Sequence, residues 1–509
     1  IGVGDMGGDV FGNGLLMSDT LQLKAVFNHV HIFLDPNPDA KKSFKERKRL
    51  FQSSKSSWLD YNQALISKGG AVYERSAKSL KLTPEIRAML GIEKDQCEPN
   101  ELIRYLLKAE VDLIWNGGIG TYVRASSETN QDAEDSANNN TRVMATELRC
   151  KVFAEGGNLG LTQKARVEFA LSGGVINADF IDNSAGVDCS DHEVNIKILL
   201  NSVLAAGKLT WDKRNSLLAE MTEDVASLVL MNNVKQNRSI NLATKESLRY
   251  INLYQRYMAE QEEFGLSREV FALPSEKELL SRKSRGVGLM RPEIAVLVAH
   301  TKNRLKAYII DSDLWQDSHL QNMIELAFPM ILRKRYRAYM DNHQLARAII
   351  ATQLSNHLVD DMGVTFIHQM QDETGASIRE IVIAYAIAKQ VYGMDQMMHD
   401  IDALNYAIPA DLQAEMMQNV IRLVRRASRW FLRNRDHHVN IADVVEQFSG
   451  DVQTLFKAFP KLLSKPCFDD YASSQKALLD INVPQLLAGK IAGMLPLFAL
   501  LNIIESSMS

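Results

Sequence analysis

The chain opens on Gly2-Val-Gly4-Asp-Met-Gly7-Gly8, and the unit that this segment begins ends at His31-Ile-Phe-Leu-Asp35. Glycines at this spacing permit a tight turn and let backbone N–H groups approach a pyrophosphate closely. A helix beginning near Asp9 would direct its positive N-terminal end at the same phosphates. The pattern predicts a glycine-rich turn, a helix and a strand, with candidate cofactor contacts at Gly2, Gly4, Asp5, Met6 and Gly7.

A carboxylate ends this unit. Asp35 suits hydrogen bonds to the adenosine ribose hydroxyls and would repel a 2′-phosphate, so it favours NAD over NADP. Two observations weaken the motif: Asp35 lies further from the last glycine than the usual ~20 residues, and no first strand precedes the turn. Because the chain begins at Ile1 without an initiator Met, we expect that strand to be truncated. A simple turn and a strand-end cap are the structural alternatives.

The length and composition exclude several classes of protein. A length of 509 residues allows two or more domains, and 24% charged with 46% hydrophobic residues is typical of a soluble globular protein. A net charge of -4 argues against nucleic-acid binding as the default. The four cysteines form no C-x-x-C pair, which indicates reduced thiols in a cytoplasmic protein. The apolar stretch 491–504 contains Pro496 and is shorter than a bilayer span, so we expect a buried helix and no membrane anchor.

Strands alternate with helices as far as about residue 190. The predicted strands are Val111–Trp115, Cys150–Ala154 and Val175–Ile181, and each is followed by a segment that contains Gly, Asn or Asp. Thr83-Pro84 and Gly91 have the pattern of a capped helix between them. Alternation of this kind predicts an α/β doubly wound parallel sheet, Rossmann-like with a truncated first strand. Ligands contact such a sheet at the carboxyl ends of its strands, which adds Asn116 and Gly117 as candidate cofactor contacts.

Beyond residue 190 nearly all of the periodicity is helical. The predicted organisation is therefore a cofactor-binding domain over 1–190 and a mainly α-helical region over 191–509, with a possible joint at 265–288. Ser190-Asp-His-Glu193 has the spacing of a helix capping box. The neighbouring Asp191, His192 and Glu193 face different directions on a helix, so we expect no metal site there.

These segments resemble the C-terminal part of the large bacterial-type NAD-specific glutamate dehydrogenases. The strongest matches are Trp115-Asn-Gly-Gly-Ile-Gly-Thr-Tyr122, Glu155-Gly-Gly-Asn-Leu-Gly-Leu-Thr162 and the run from Asp179 to Lys197. Further matches occur at His31-Ile-Phe-Leu-Asp-Pro-Asn-Pro-Asp39 and, in the helical half, at Arg291-Pro-Glu-Ile-Ala-Val-Leu297. The similarity extends over most of the chain.

The resemblance implies NAD-dependent oxidative deamination of L-glutamate to 2-oxoglutarate and ammonia by a homo-oligomer. Asn183-Ser-Ala-Gly186-Val-Asp-Cys-Ser190 matches the spacing of a family motif whose serine holds the substrate side-chain carboxylate, so Ser190 inherits that role. Its structural alternative is a helix cap. Asn158 inherits a contact beside the nicotinamide ribose, and Gly157 in place of the family's alanine is expected to make little difference.

One departure from the family concerns catalysis. The catalytic lysine and aspartate of the family lie in a substrate domain that precedes the cofactor domain, and no residue here matches either of them. We therefore expect this chain to supply the cofactor side of the cleft and to be inactive alone. The alternatives are a related amino-acid dehydrogenase and a non-catalytic nucleotide-binding or regulatory assembly module. A basic face around Trp430 favours pairing with acidic neighbours or a subunit contact over RNA binding.

Overall fold

The computed structural model describes residues 1–4, 14–118, 120–435 and 439–508. The chain forms two compact units. Unit 1 comprises Ile1–Glu193, Val229–Ile240 and Phe264–Leu297, and unit 2 comprises Val194–Leu228, Asn241–Glu263 and Val298–Ser509.

The strands of unit 1 are β1 Gly2–Val3, β2 Ala25–Phe27, β3 His31–Leu34, β4 Ala71–Glu74, β5 Leu80–Lys81, β6 Gln96–Cys97, β7 Leu113–Asn116, β8 Val123–Arg124, β9 Val143–Met144 and β10 Val152–Glu155. Six of them form one sheet with the order β10-β7-β1-β2-β3-β4. Strands β10, β7, β1 and β2 are mutually parallel, whereas β3 is antiparallel to β2 and β4 is antiparallel to β3. Two further strand pairs, β5-β6 and β8-β9, are separate from this sheet.

The predicted α/β class with a doubly wound sheet and a mainly α-helical region after it is confirmed, although the predicted parallel sheet is a mixed one, because β3 runs antiparallel to both of its neighbours. Strand β1 has two residues and lies in the middle of the sheet, where Gly2 pairs with Val26 on one side and Trp115 on the other. Gly2 therefore belongs to the strand, and the turn begins at Gly4.

A tight hairpin, which the sequence analysis did not identify, joins β2 to β3. The side-chain oxygen of Asn28 accepts hydrogen bonds from the backbone N–H groups of Val30 (2.8 Å) and His31 (2.6 Å). An asparagine side chain that bonds to the backbone two residues on reverses the chain as a backbone turn does. Because of this turn, the strand that ends near Asp35 runs antiparallel to β2.

Both faces of the sheet are buried. Along β2, Ala25 and Phe27 face one hydrophobic core, and Val26 faces another. The first core is completed by helices α2 (Pro84–Leu90), α3 (Pro99–Leu107) and α4 (Gln163–Leu171), and the second by α1 (Ala40–Gln52) with the turn that contains Trp58. A sheet covered on both faces is the usual arrangement for parallel strands.

Two local predictions had different outcomes. The capped helix is confirmed, since the hydroxyl oxygen of Thr83 accepts from the Ile86 N–H and Gly91 ends the helix at φ 66°. The predicted strand over 175–181 is wrong, because Val175 makes only an isolated bridge with Val152 and the chain then enters a helical turn.

The remaining helices follow the helical periodicity of the sequence. They are α5 Asp179–Asp182, α6 Ser184–Ala205, α7 Trp211–Glu220, α8 Thr222–Ser247, α9 Ile251–Glu263, α10 Glu276–Ser284, α11 Arg291–Asp311, α12 Met330–Met340, α13 Ala346–Met362, α14 Phe366–Thr374, α15 Ile378–Val391, α16 Met394–Asp402, α17 Ala410–Asn434, α18 Ile441–Ala458, α19 Lys465–Leu479, α20 Gln485–Ala492 and α21 Met494–Met508.

Within the described residues, no single helix has the length and apolar character needed to cross a membrane. Gln485–Ala492 and Pro496–Ser507 meet that test only as a pair, by length and composition alone, across a bend of 74°.

The four cysteines differ in their expected reactivity. Burial raises the pKa of Cys97 to about 11 and that of Cys150 to about 12, whereas Cys189 and Cys467 are exposed. Since the thiolate is the reactive form, at pH 8 only about one in a hundred molecules or fewer carries a reactive Cys97 thiolate. We expect a disulfide reagent to titrate two thiols in the native protein and four in denaturant. Rapid titration of all four native thiols would contradict this assignment.

Candidate functional site

The strand order creates a topological switch point between β1 and β7. From β1 the chain continues to β2, β3 and β4 on one side, and it later returns to β7 and β10 on the other. In open α/β sheets, ligands bind at such a point, in the crevice outside the carboxyl ends of the strands. The candidate site therefore lies where Gly4 follows β1 and Gly117 follows β7.

The loops at this edge touch one another through backbone atoms. Gly4 has φ +136°, and a β-carbon there would lie 3.3 Å from the carbonyl oxygen of Gly117. A β-carbon at Gly157, in the loop after β10, would lie 2.7 Å from the carbonyl oxygen of Gly118. The expectation that Gly157 and alanine are nearly equivalent is therefore wrong, because an added methyl group has no room. The result is a floor without side chains, which suits close approach by a pyrophosphate.

Asn116 supports this floor from below. The residue is fully buried, its carbonyl oxygen accepts from the Gly157 N–H at 3.1 Å, and its side-chain oxygen accepts from the Gly118 N–H at 3.4 Å. Asn116 thus links the loops after β7 and β10, and Gly117 and Gly118 line the space above them.

A cavity of about 1110 Å³ opens at this edge. This volume slightly exceeds the range of about 300–1,000 Å³ that is usual for small-molecule sites. The ends of β1, β2, β4 and β7 and the start of α3 all contribute to its wall, through Val3, Gly4, Asn28, His29, Val30, His31, Glu74, Arg75, Ser76, Asn100, Gly117, Gly118, Tyr122, Ala137 and Asn138.

Polar groups line the side of the cavity that lies beyond β2. Arg75 donates to the carbonyl oxygen of Asn28 at 2.8 Å and to the side-chain oxygen of Asn100 at 3.3 Å. The carboxylate of Glu74, at the end of β4, is exposed beside it and accepts from the Ser76 hydroxyl at 3.3 Å. The guanidinium of Arg75 therefore braces the hairpin, and Glu74 supplies an accessible acceptor.

Asp35 does not lie at this edge, so its predicted contact with the ribose is wrong. Because β3 is antiparallel to β2, the residue after β3 returns to the amino end of β2, where the Asp35 N–H donates to the Lys24 carbonyl oxygen at 2.8 Å. The Asp35 side chain is 1% exposed and accepts from the backbone N–H of Ser67 at 3.1 Å. Its role here is structural, and Asn28 occupies the position at the carboxyl end of β2.

A buried ion cluster holds the loop after β10. Arg166 donates to both carboxylate oxygens of Glu155, at 2.7 and 2.8 Å, and lies 3.1 Å from the Asp179 carboxylate. Burial opposes the charge on Arg166, but the two carboxylates outweigh burial and raise the pKa of its guanidinium. The same carboxylates accept from the loop backbone at Leu161 (3.2 Å) and Leu159 (2.8 Å). The cluster thereby sets the path of residues 155–161.

Amide side chains of α8 hold the segment that follows. Asn233 donates to the carbonyl oxygen of Ile181 and to the hydroxyl of Ser184, each at 2.8 Å. Asn237 accepts from the Asn177 amide at 2.9 Å and from Arg291 at 3.0 Å. Asparagine is a weak helix former, so its repetition on α8 at positions 233 and 237 indicates side-chain contacts, a signal that the sequence analysis did not use.

The structure connects Asn158 to this segment, since the Asn158 side-chain oxygen accepts from the Asn183 amide at 2.9 Å and the residue is exposed. Ser190 is also exposed, in the second turn of α6, where its hydroxyl donates to the Gly186 carbonyl oxygen at 3.2 Å. The predicted helix-cap role of Ser190 is wrong because α6 already begins at Ser184. The candidate contacts Asp5, Met6 and Gly7, and the helix expected from Asp9, lie outside the described residues.

One group of possible metal ligands occurs among the described residues, at His357, Asp361 and Asp395 in unit 2. The Lys389 ammonium lies 2.6 Å from the Asp361 carboxylate, 2.8 Å from that of Asp395 and 3.3 Å from the His357 ring nitrogen. The cation that this cluster binds is thus a lysine of the same chain.

Comparison with known proteins gives consistent matches. Residues 1–243 match the family "Bacterial NAD-glutamate dehydrogenase, catalytic domain", and residues 286–509 match "Glutamate dehydrogenase, C-terminal". The chain is 49% identical over 508 residues to the NAD-specific glutamate dehydrogenase of Pseudomonas aeruginosa, covering 100% of this chain. The corresponding proteins of Halomonas elongata and Mycobacterium tuberculosis are 45% and 42% identical, over 100% and 99% of this chain. In each case the chain spans 31% of the relative's length.

The ion cluster generates a stability prediction. Arg166→Met leaves two buried carboxylates without their cation, so we expect the free energy of unfolding to fall by about 3–5 kcal/mol. The matched control is Lys151→Met, which removes an exposed ion pair with Asp112 and should cost less than about 1 kcal/mol. Urea unfolding followed by intrinsic fluorescence measures both. Equal effects of the two substitutions would refute a structural role for the cluster.

Proposed function

We propose that this chain, which belongs to the bacterial NAD-specific glutamate dehydrogenases, supplies the NAD-binding side of a cleft in which L-glutamate is oxidatively deaminated to 2-oxoglutarate and ammonia. The observation that supports this most directly is the cavity of about 1110 Å³ above a glycine floor, at the switch point of the sheet. NAD, when bound, would supply the acceptor for the hydride that leaves the α-carbon of the amino acid. The protein groups must hold the two reactants face to face and exclude water between them.

The fit of a dinucleotide rests on the glycines. A pyrophosphate binds where backbone N–H groups can approach it closely. Gly4 and Gly118 leave the backbone uncovered there, and a β-carbon at either position would contact neighbouring main chain. In this proposal the adenosine half lies toward β2 and the nicotinamide half toward β7 and β10, where Asn158 is exposed. The cluster around Arg166 then acts as a positioning element for the Asn158 loop.

We assign the selectivity for NAD over NADP to the residues that line the cavity beside β2. Asn28 lies at the end of β2, where the dinucleotide-binding pattern has a carboxylate. Its side-chain oxygen already accepts the hydrogen bonds of the hairpin turn. The carboxylate that faces the cavity is that of Glu74, while Arg75 is engaged with Asn28 and Asn100. We propose that Glu74 accepts from a ribose hydroxyl and repels a 2′-phosphate.

The first test is a fluorescence titration of the 509-residue chain with NADH and, in parallel, NADPH. We expect NADH to bind at least about tenfold more tightly, a difference of about 1.4 kcal/mol. Glutamate should produce no NADH with this chain, because the proposal places the catalytic lysine and aspartate outside its 509 residues. Failure to bind either nucleotide would overturn the cofactor assignment and favour an assembly role for the chain.

A matched pair of substitutions sharpens this test. Glu74→Gln removes the proposed repulsion and should reduce the preference for NADH several-fold. Asp35→Asn makes the same chemical change at the opposite edge of the sheet and should leave the preference unaltered. The reverse result would restore Asp35 as the ribose contact.

Ser190 remains the proposed contact for the substrate side-chain carboxylate, supported by its motif and its exposure on α6. A hydrogen bond to a charged group contributes about 1.5–3 kcal/mol, so Ser190→Ala in the intact enzyme should raise the glutamate KM by about tenfold or more with NAD affinity unchanged. Ser202→Ala is the control, because its hydroxyl makes the same bond to the preceding turn of α6, at 3.2 Å. Normal glutamate kinetics in Ser190→Ala would leave this serine with no substrate role. A changed preference among amino acids would favour a related dehydrogenase.

A further inference from the structure

The C-terminal part of α17 carries a concentration of positive charge that the cofactor site does not use. Six arginines occur within fourteen residues of a chain whose net charge is -4, at Arg422, Arg425, Arg426, Arg429, Arg433 and Arg435. All lie in unit 2.

Three of these arginines form ion pairs with acidic side chains. Arg422 lies 3.5 Å from Glu246, Arg429 pairs with Glu373, and Arg435 forms a bidentate pair with Glu505. The guanidinium of Arg435 also lies over the ring of Phe448, 4.9 Å from its centre. These contacts engage Arg422, Arg429 and Arg435.

Arg426 and Arg433 are exposed, and neither forms a hydrogen bond or ion pair with the part of the chain that the structure describes. Arg429 lies between them on the same helix face, and its Nε is buried with no hydrogen-bond partner among the described residues. Positions three and seven residues apart lie along one side of a helix, over about 10 Å of its axis. The three guanidinium groups therefore form a row with unused donors.

The row borders a cavity of about 410 Å³ between α17 and α21. Its wall is formed by Arg426, Arg429, Trp430, Arg433, Asn434, Phe498 and Asn502. The indole N–H of Trp430 donates to the Asn502 side-chain oxygen at 2.7 Å, and the Arg435 guanidinium lies 5.6 Å from the indole ring centre. These contacts fix the wall, so the cavity is preformed.

We propose that this cavity binds a small polyanion that carries several phosphate groups. Planar guanidinium groups hold phosphate oxygens by paired hydrogen bonds, and a row of three matches a ligand whose charges are spread along its length. The volume is within the range of small-molecule sites. A nucleic-acid strand fits less well, since it needs an extended basic track and Glu246, Glu373 and Glu505 interrupt this one.

The test is isothermal titration calorimetry of the 509-residue chain with inorganic tripolyphosphate, with ATP and with a single-stranded RNA oligonucleotide, each in the presence of saturating NADH to block the cofactor site. The variant is Arg426→Gln/Arg433→Gln, which changes two exposed side chains. The control Lys334→Gln/Arg335→Gln removes the same charge from two exposed positions of α12.

We expect tripolyphosphate to bind once per chain, with an affinity at least tenfold weaker in the Arg426→Gln/Arg433→Gln variant and unchanged in the control. Tighter binding of ATP than of tripolyphosphate would support the proposal and add a contact to the base. Absence of binding, equal weakening by both variants, or binding of RNA alone would overturn it. Because Arg426 and Arg433 line a different cavity from the proposed cofactor site, selective weakening in the variant is independent of whether NADH binds.

Discussion

Contact between backbones at the carboxyl edge of the sheet is the constraint on which the site of unit 1 depends. The loops after β1, β7 and β10 approach so closely that a β-carbon at Gly157 would displace main chain, while β-carbons at Gly4 and Gly118 would lie only 3.3 Å from main-chain oxygens. Strand order brings these loops together, because β1 is flanked by β7 and β2. The close packing of these backbones thus depends on the strand order and on three glycines.

Such a floor must be held in place by groups that do not themselves reach the cavity. Asn116 ties the loops after β7 and β10 together, and the Glu155, Arg166 and Asp179 cluster fixes the path of the loop after β10. Buried charges are costly unless each is paired and hydrogen-bonded. In this cluster the carboxylates that neutralise Arg166 also accept from the backbone of the loop, so the loop path and the charge balance are satisfied together.

Local signals in the sequence predicted local structure well. Thr83, Pro84 and Gly91 each act within one turn of a helix, and that helix forms as expected. The errors concern the direction of a strand and the position at which a helix begins. Asp35 follows a strand as predicted, but the Asn28 turn reverses that strand, so the carboxylate lies at the wrong edge. Ser190 has capping-box spacing, yet α6 begins six residues earlier at Ser184. Two partners of Asn237 come from segments 60 and 54 residues away, which no single-sequence pattern reveals.

The arginine of the buried ion cluster in unit 1 and the arginine row in unit 2 differ in how far carboxylates neutralise them. For this reason we assign a positioning role to the first and a ligand-binding role to the second. Arg166 is buried and surrounded by carboxylates, so its donors are consumed within the fold. The row of Arg426, Arg429 and Arg433 has one carboxylate partner, Glu373, among the described residues and borders a preformed cavity. A buried, neutralised network gains nothing from an external anion. An exposed row with unused donors gains hydrogen bonds and releases counterions when an anion arrives. The same residue type therefore stabilises the fold in unit 1 and is free to recognise a ligand in unit 2.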